Sequence, residues 1–343
     1  MKNFKCSWKN IFGNEDKIER LKKFAADKNF PQSVIFAGVE GIGKRKIAET
    51  CAASLLCENP TGGEPCGTCD SCRLMAAGTH PDFYVVEPEE TKASRTIKIG
   101  QIRDLQKETS IRPLNGDKRV VIIDGAEFMN KPAANCVLKT LEEPTSQTVF
   151  ILVTADRSSL LLTIRSRCMT INFDKLTAEQ IKTALKNFEI DEFKAQILSA
   201  ISDGSLGRAL ALEQSGGYEL RNDALGLVRQ LFKNELDNEI IFAKGKIFET
   251  YSREKFSDFV NYVQKILRDI FFIGKADLYN EDLKDKIAEI KFPEETLLKL
   301  LAEGTTVQRR LKSNANALPK LPSEIAESLC ALKSSTAKFL RAV

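Results

Sequence analysis

The sequence predicts an α/β protein, with a doubly wound, parallel-sheet domain in the first half of the chain and helices alone in the second. Three observations carry this. Short apolar runs recur in the first half, nearly continuous and not alternating, as expected of parallel strands covered by helices on both faces. Amphipathic stretches separate those runs. From about Leu176 the strand signals stop while helical spacing continues.

In chain order, Val34 to Ala37, Phe83 to Val86, Val120 to Ile123, Val149 to Val153 and Met169 to Phe173 read as strands. Lys44 to Leu56, Ile97 to Glu108 and Ala133 to Leu141 read as helices, the last with Pro132 near its first turn, where a missing N–H is tolerated. Thr177 to Phe188, Asp191 to Ser202 and Leu206 to Glu213 form three short helical patterns, punctuated by Gly204 and then by Ser215, Gly216 and Gly217, which read as a hinge. Beyond them Phe256, Phe259, Val260, Val263, Ile266, Leu267, Ile270 and Phe271 recur at spacings of three and four, the apolar face of a helix in a bundle core. The expected division is 1–175, 176–214 and 215–343, with no internal repeat or low-complexity tract.

Composition bounds the function classes. At 343 residues, 43% hydrophobic and 29% charged, the chain can bury two or three cores, which argues against disorder. MKNFKCSWKN has no apolar h-region, and no later stretch approaches the roughly 20 apolar residues of a membrane span, so a cytoplasmic protein without membrane contact is expected. A net charge of +4 is small for this length and says little about an anionic partner. Cysteine says more. Of nine cysteines, four fall between Cys57 and Cys72, and without a secretion signal such a cluster points to a metal before a disulfide framework. Cys6, Cys51, Cys136, Cys168 and Cys330 are scattered and read as reduced, small apolar side chains.

The strongest phosphate signal is Gly38-Val39-Glu40-Gly41-Ile42-Gly43-Lys44-Arg45, between a predicted strand and a predicted helix. Gly38, Gly41 and Gly43 let backbone N–H groups wrap a phosphate at the helix N-terminus, and Lys44 adds a charge. Arg45 replaces the Ser or Thr whose hydroxyl would ligate magnesium, so the loop suits a phosphate better than its metal. Val120 to Asp124 is a buried strand ending in a carboxylate, the Walker B pattern that helps hold magnesium. Taken alone it is an ordinary strand end; paired with the phosphate loop, the Walker B reading wins. Gly125 follows it, and Glu127 stands two positions later, expected to aim elsewhere.

Cys57 followed by Cys66-x2-Cys69-x2-Cys72 suits a closed, tetrahedral, all-cysteine zinc site with a structural role; iron–sulfur ligation is the minor alternative. His80, the sole histidine, reads as a bystander in a turn. In Thr163-Ile164-Arg165-Ser166-Arg167-Cys168, an arginine at a domain rim can reach a neighbour's nucleotide and stabilise the transferring phosphoryl group. Arg208 opens a helix of the small domain, where it can sense a γ-phosphate. For either arginine the bland reading is a solvated surface charge.

Together these motifs resemble the clamp-loader branch of the bacterial AAA+ proteins. The resemblance runs from Trp8 to about Leu212, through SWKNIFGNEDKIERLK, the interrupted phosphate loop, the four cysteines, GTHPDF, IKIGQIRDLQ, VVIIDGAEFMN, NCVLKTLEEPTSQTVFILVT, TIRSRC and GSLGRAL, in the family's order. It implies an AAA+ P-loop core with an inserted zinc module at 57–72, a helical lid domain and a helical collar. It also implies a hetero-oligomeric ring with other clamp-loader subunits that opens a sliding clamp and places it on primed DNA. Carried over by position, Gly38, Gly41, Gly43, Lys44 and Arg45 form the P-loop, Asp124 is the Walker B acid and Thr154 takes the sensor-1 place. Arg167 takes the trans-acting finger of the SRC motif, Arg208 the sensor-2 arginine, and Cys57, Cys66, Cys69 and Cys72 the zinc positions.

Departures choose among members. The family's motor subunits keep the P-loop Thr and a glutamate after the Walker B acid, where this chain has Arg45 and Gly125; Leu162 stands where proline is frequent. The implied role is a non-hydrolysing stator that lends Arg167 to an adjacent motor, with ATP binding weak or absent. Its rival is an ATPase motor altered at two positions. A third class, a free-standing nucleic-acid binder using the zinc module, fits poorly, because CENPTGGEPCGTCDSC carries acids and no lysine or arginine.

Overall fold

The computed structural model describes residues 6–27, 29–90, 95–142, 147–232, 250–276 and 278–313. Cys330, residues 143–146 of one family motif, and 233–249 and 314–343 of the predicted collar lie outside them. The described chain forms two compact units: residues 1–190 with 203–208, and 191–202 with 209 onward.

The first unit is the predicted α/β layer structure. Its five-stranded sheet has the order β2 (Phe83–Val86), β5 (Arg119–Asp124), β6 (Thr148–Thr154), β1 (Ser33–Ala37), β7 (Met169–Asn172), and every pairing is parallel. All five predicted strands are present within a residue of their predicted ends. A two-residue ribbon, β3 (Glu89–Glu90) with β4 (Arg95–Thr96), carries no apolar run and was not foreseen.

Side-chain alternation explains why both faces are buried. Val34, Phe36, Val120, Ile122 and Ile151 point to one side, with Ile18 and Leu21 of α1 (Glu15–Ala26) and Ile47 and Cys51 of α2 (Lys44–Leu56). Ile35, Val121, Ile123, Phe150 and Leu152 point to the other, with Ile102 of α4 (Ile99–Thr109), Val137 of α5 (Lys131–Glu142) and Ile164 of α6 (Leu162–Arg167). The short α3 (Asp70–Ala77) belongs to the cysteine module, and α7 (Ala178–Lys186), with Thr177 as its N-cap, closes the unit. Because the strands run parallel, Gly38, Asp124, Thr154 and Asn172 gather at one carboxyl edge, where α/β folds generally bind ligands.

The opposite, amino-terminal edge of the sheet carries a buried ion pair. Asp82, fully buried, accepts from the backbone amides of Leu114 (2.9 and 3.0 Å) and Asn115 (2.6 Å), and lies 3.3 Å from Arg119 Nη2. Arg119 Nη1 donates to the carbonyls of Glu108 and Ile111, both at 2.8 Å, so the pair fixes the loop from α4 to β5. Its net stabilisation is small by the usual desolvation argument, but losing either partner strands a buried charge.

The second unit is helical: α8 (Glu192–Ile201), the body of α9 (Leu206–Gln214), α10 (Gly217–Phe232), α11 (Arg253–Phe272), α12 (Lys284–Ala288) and α13 (Glu294–Ser313). The expected apolar stripe lies on α11, where Phe256, Phe259, Val260, Ile266, Leu267 and Ile270 are buried, while Val263 and Phe271 are half-buried. Arg221 forks onto Asp282 (2.9 and 2.6 Å), and Asp269 accepts from the Tyr279 and Asn280 amides (2.9 and 2.8 Å), supplying the polar interior. The residues read as a glycine hinge form a tight turn: Gly216 has φ 70° and Gly217 begins α10 against Leu212. No helix among the described residues is long and apolar enough to cross a membrane.

Candidate functional site

A cavity of about 570 Å³ opens at the carboxyl edge of the sheet, lined by the phosphate loop, Asp124, Gly125, Glu127 and Thr154. Gly41, Gly43, Lys44, Arg45, Asp124 and Thr154 therefore meet at one place, while Gly38 lies just behind the loop. Arg167 and Arg208 do not line it.

The loop is engaged with its own chain. Lys44 is 6% exposed, and its Nζ donates to the carbonyls of Gly38 and Val39, both at 2.7 Å. Burial pushes its pKa down, opposed by the charges of Glu127, Glu40 and Asp124. The Gly207 amide donates to the Gly41 carbonyl at 2.7 Å. Gly41 has φ 77°, and any Cβ there would strike Ser205 Oγ, so only glycine permits this close approach.

Arg45 takes the centre of the acidic side. Its Nε donates to Glu49 Oε1 (2.5 Å), and its Nη1 to Glu87 Oε1 (2.7 Å) and to Asp124 Oδ2 (2.9 Å). A fixed guanidinium thus bridges the Walker B acid to two further carboxylates. Burial works against the arginine's charge, but Glu49, Glu87 and Asp124 outweigh it and its pKa rises. With one cation shared by three acids, burial leaves Glu49 raised despite Arg45.

Gly125 is held at φ 69°, and a Cβ there would lie 2.8 Å from Phe128 Cδ2 and 3.1 Å from Pro88 Cγ. The backbone at this position therefore excludes a glutamate unless the turn shifts. Glu127, expected to aim elsewhere, lines the cavity instead: the short 3₁₀ turn after β5 swings it back, and Oε1 accepts from the Ala155 amide at 2.9 Å. Its Oε2 is buried without a hydrogen-bond partner. Thr154 is fully buried, its hydroxyl donating to the Asp156 carbonyl (3.0 Å) and accepting from the Asp156 amide (3.1 Å).

The two arginines read from the motifs lie apart from these groups. Arg167 is exposed at the end of α6, its Nη2 2.6 Å from Glu142 Oε1 and its Nη1 donating to the Thr163 carbonyl at 3.0 Å. Arg208, in the first turn of α9, pairs with Asp203 at 2.9 Å.

The four cysteines form a second site. Cys57 caps the end of α2, Cys69 caps the start of α3, and the sulfurs of Cys57, Cys66, Cys69 and Cys72 all lie within 4.8 Å of one another. Cys57–Cys69 and Cys66–Cys72 are each 3.9 Å apart. A tetrahedral metal with bonds of about 2.3 Å to sulfur has edges of about 3.8 Å, so the donor set fits one metal ion and leaves no open position. Backbone amides of Cys66, Cys69 and Cys72 point at neighbouring sulfurs (3.2, 3.4 and 3.4 Å), which favours thiolates, while burial pushes the Cys57 and Cys72 thiols up. Hydrogen bonds from Thr68 and Cys69 bring the Cys66 thiol down to about 6.

His80 is no bystander, although it is not a ligand. The Asp82 amide donates to its Nδ1 (3.1 Å), so the proton sits on Nε2, which donates to Ser71 Oγ (2.9 Å); Ser71 in turn donates to the Leu56 carbonyl (2.5 Å). Leu56 and Ser71 adjoin Cys57 and Cys72, so a neutral histidine clamps both arms of the cysteine module. Burial lowers its pKa, against the pull of Asp82. The module also holds the N-terminal segment: Trp8 Nε1 donates to the Gly63 carbonyl (2.9 Å), and Ser7 Oγ to Glu64 (2.8 Å).

Sequence reasoning missed Glu49, Glu87 and His80. Glu49 is four residues from Arg45 on one helix, a spacing that could have flagged it. Glu87 follows β2, and only the sheet order brings it to Asp124.

Comparison with known proteins matches the family described as "DNA polymerase III, delta subunit" to residues 13–177. The chain is 39% identical to the DNA polymerase III subunit delta' of Pseudomonas aeruginosa, over 58% of this chain and 61% of that protein. It is 31% identical to the delta' subunit of Haemophilus influenzae over 69% of each. The subunit tau of Salmonella typhimurium is 34% identical over 59% of this chain and 32% of its own length. The match thus spans less than two thirds of the Pseudomonas and Salmonella relatives.

Proposed function

Because this chain belongs to the delta' family of DNA polymerase III subunits, we propose that it is a stator subunit of a clamp loader, one that helps place a sliding clamp on primed DNA in replication and does not turn over ATP itself. The observation that carries this reading is Arg45 on Asp124, 2.9 Å apart. A metal-assisted phosphoryl transfer needs that carboxylate for magnesium and a base for water. Here a guanidinium holds the first, and Gly125 stands at the position of the second. Nucleotide binding is weak or absent, since Lys44 would have to leave two carbonyls to reach a phosphate.

Arg167 supports the rest of the proposal. It is exposed, outside the lining of its own chain's cavity and tethered only at the surface, which suits a finger donated to the nucleotide of an adjacent motor subunit. Arginine fingers are worth roughly 10³ to 10⁵ in rate where studied. The partners are the delta and gamma/tau subunits, the clamp, and DNA through the assembled ring. Residues 1–175, 176–214 and 215–343 serve as AAA+ core, lid and collar. The four-thiolate site holds structural zinc, which ties the module to α2 and α3.

The alternative is a gamma/tau-like motor, favoured by 34% identity to a tau subunit over 209 residues. Nucleotide titration decides between them. A stator shows no magnesium-dependent tightening of ATP; micromolar, magnesium-dependent ATP binding by the chain alone supports the motor.

A further inference from the structure

A second cavity, of about 420 Å³, opens at the same carboxyl edge over the end of β1, between the residues that follow β6 and those that end β7. It is lined by Gly38, Asp156, Arg157, Ser158, Arg165 and Asn172, among others. Of its lining residues only Gly38 also belongs to the phosphate loop; Asp156, Arg157, Ser158, Arg165 and Asn172 have no role in the phosphate, finger or cysteine sites.

Its electrostatics are unbalanced. Arg165, on α6, is half-buried, and its Nε is buried without a hydrogen-bond partner. Among the described residues no carboxylate pairs with its guanidinium. Arg157 is exposed at the rim. Asp156 is the one acid in the lining, and it is committed elsewhere: its Oδ1 accepts from the Ser158 amide (2.8 Å) and hydroxyl (2.6 Å), which hold its pKa low. The cavity therefore carries two arginines against one acid already used to cap a turn.

Arg165 lines the cavity, and the fork of an arginine guanidinium matches the edge of a tetrahedral oxyanion. The exposed Asn172 amide at the end of β7 adds a donor at the same edge. We infer that this cavity is an oxyanion site that takes a phosphate group, with Arg165 as its principal donor and Arg157 as the second. The site is separate from the phosphate loop, where Lys44 and Arg45 already have partners. It does not depend on the stator reading.

The test is calorimetric and thermal-shift titration of the full chain with inorganic phosphate at fixed ionic strength, sodium chloride being the control, for the wild type, Arg165→Gln, Arg165→Lys and Lys44→Ala. The expected result is a saturable stabilisation that survives Lys44→Ala and weakens about tenfold or more in Arg165→Gln, the loss of a charge-assisted donor. Arg165→Lys, which keeps the charge and loses the fork, falls between. Tighter binding of AMP than of phosphate identifies a nucleotide as the source of the group; equal binding identifies free phosphate. No saturable response beyond chloride overturns the inference, as does a response abolished by Lys44→Ala and indifferent to Arg165. If Arg165→Gln misfolds, as circular dichroism would reveal, Arg157→Gln at the exposed rim serves in its place; full retention of affinity there counts against the site.

Discussion

Replacing Arg45 by alanine removes the one cation shared by Glu49, Glu87 and Asp124. The contacts to Glu49 and Asp124 involve side chains 28%, 17% and 31% exposed, where a charge-assisted hydrogen bond contributes about 1 kcal/mol each after solvent screening. Glu87 is 60% exposed and adds a few tenths at most. Three carboxylates left facing one another without their shared guanidinium cost about another 1 kcal/mol. The loss is therefore about 3 kcal/mol at pH 7, or about 6–12 °C in melting temperature for a unit of this size.

The loss depends on pH in a definite direction. Glu49 is already raised by burial, and removing Arg45 raises it further. A carboxyl whose folded pKa lies above its unfolded one favours folding at low pH and costs stability as pH rises through the folded value. The defect shrinks towards pH 5. Millimolar magnesium or manganese, which three carboxylates can ligate, recovers part of it in the variant and leaves the wild type unchanged. Urea and thermal denaturation at pH 5 and 7, with and without the divalent ion, read all three effects. A variant within about 0.5 kcal/mol of wild type, or an equal divalent response in both proteins, refutes the reasoning.

Three more predictions follow from the same geometry. Metal analysis of reduced protein should find about one zinc per chain, and chelation should change the fluorescence of Trp8, the sole tryptophan, because its indole is bonded to Gly63 in the cysteine module; unchanged emission contradicts that coupling. His80 is neutral in the fold with a lowered pKa, so stability is retained above about pH 6.5 and falls as pH drops below it; His80→Gln should flatten that limb at constant metal content, and an identical pH profile counts against it. Gly125→Glu should cost about 2 kcal/mol or more, from φ 69° and the Phe128 contact, without creating ATPase activity; a stable, active variant would show that the turn is not what excludes the glutamate.

Much of the fold was legible because its signals are local. Val34 to Ala37 and Val120 to Ile123 are apolar on both faces, which only a covered parallel strand explains, and α2 begins at Lys44 and ends at Leu56 as read. The phosphate loop and the cysteine spacing were equally local, since a loop between strand and helix and two C-x2-C steps constrain their own neighbourhoods. What the sequence withheld depends on pairing across the fold. Sheet order alone brings Glu87 beside Asp124 and Arg45. The tautomer of His80 is set by the Asp82 amide, and the aim of Glu127 by a 3₁₀ turn that no periodicity announces. The two-residue ribbon of β3 and β4 is too short and polar to leave a pattern.

The central claim is that this chain positions chemistry done on a neighbour and performs none itself. Steady-state ATP hydrolysis tests it most directly, measured on the purified chain alone and then on the complex reconstituted with gamma/tau and delta subunits, clamp and primed DNA, with Arg167 intact or replaced by alanine. The account predicts no turnover from the chain alone, stimulated turnover from the complex, and a large fall in that turnover with Arg167→Ala while assembly is unchanged. Robust hydrolysis by the isolated chain, or complex turnover indifferent to Arg167, would contradict it.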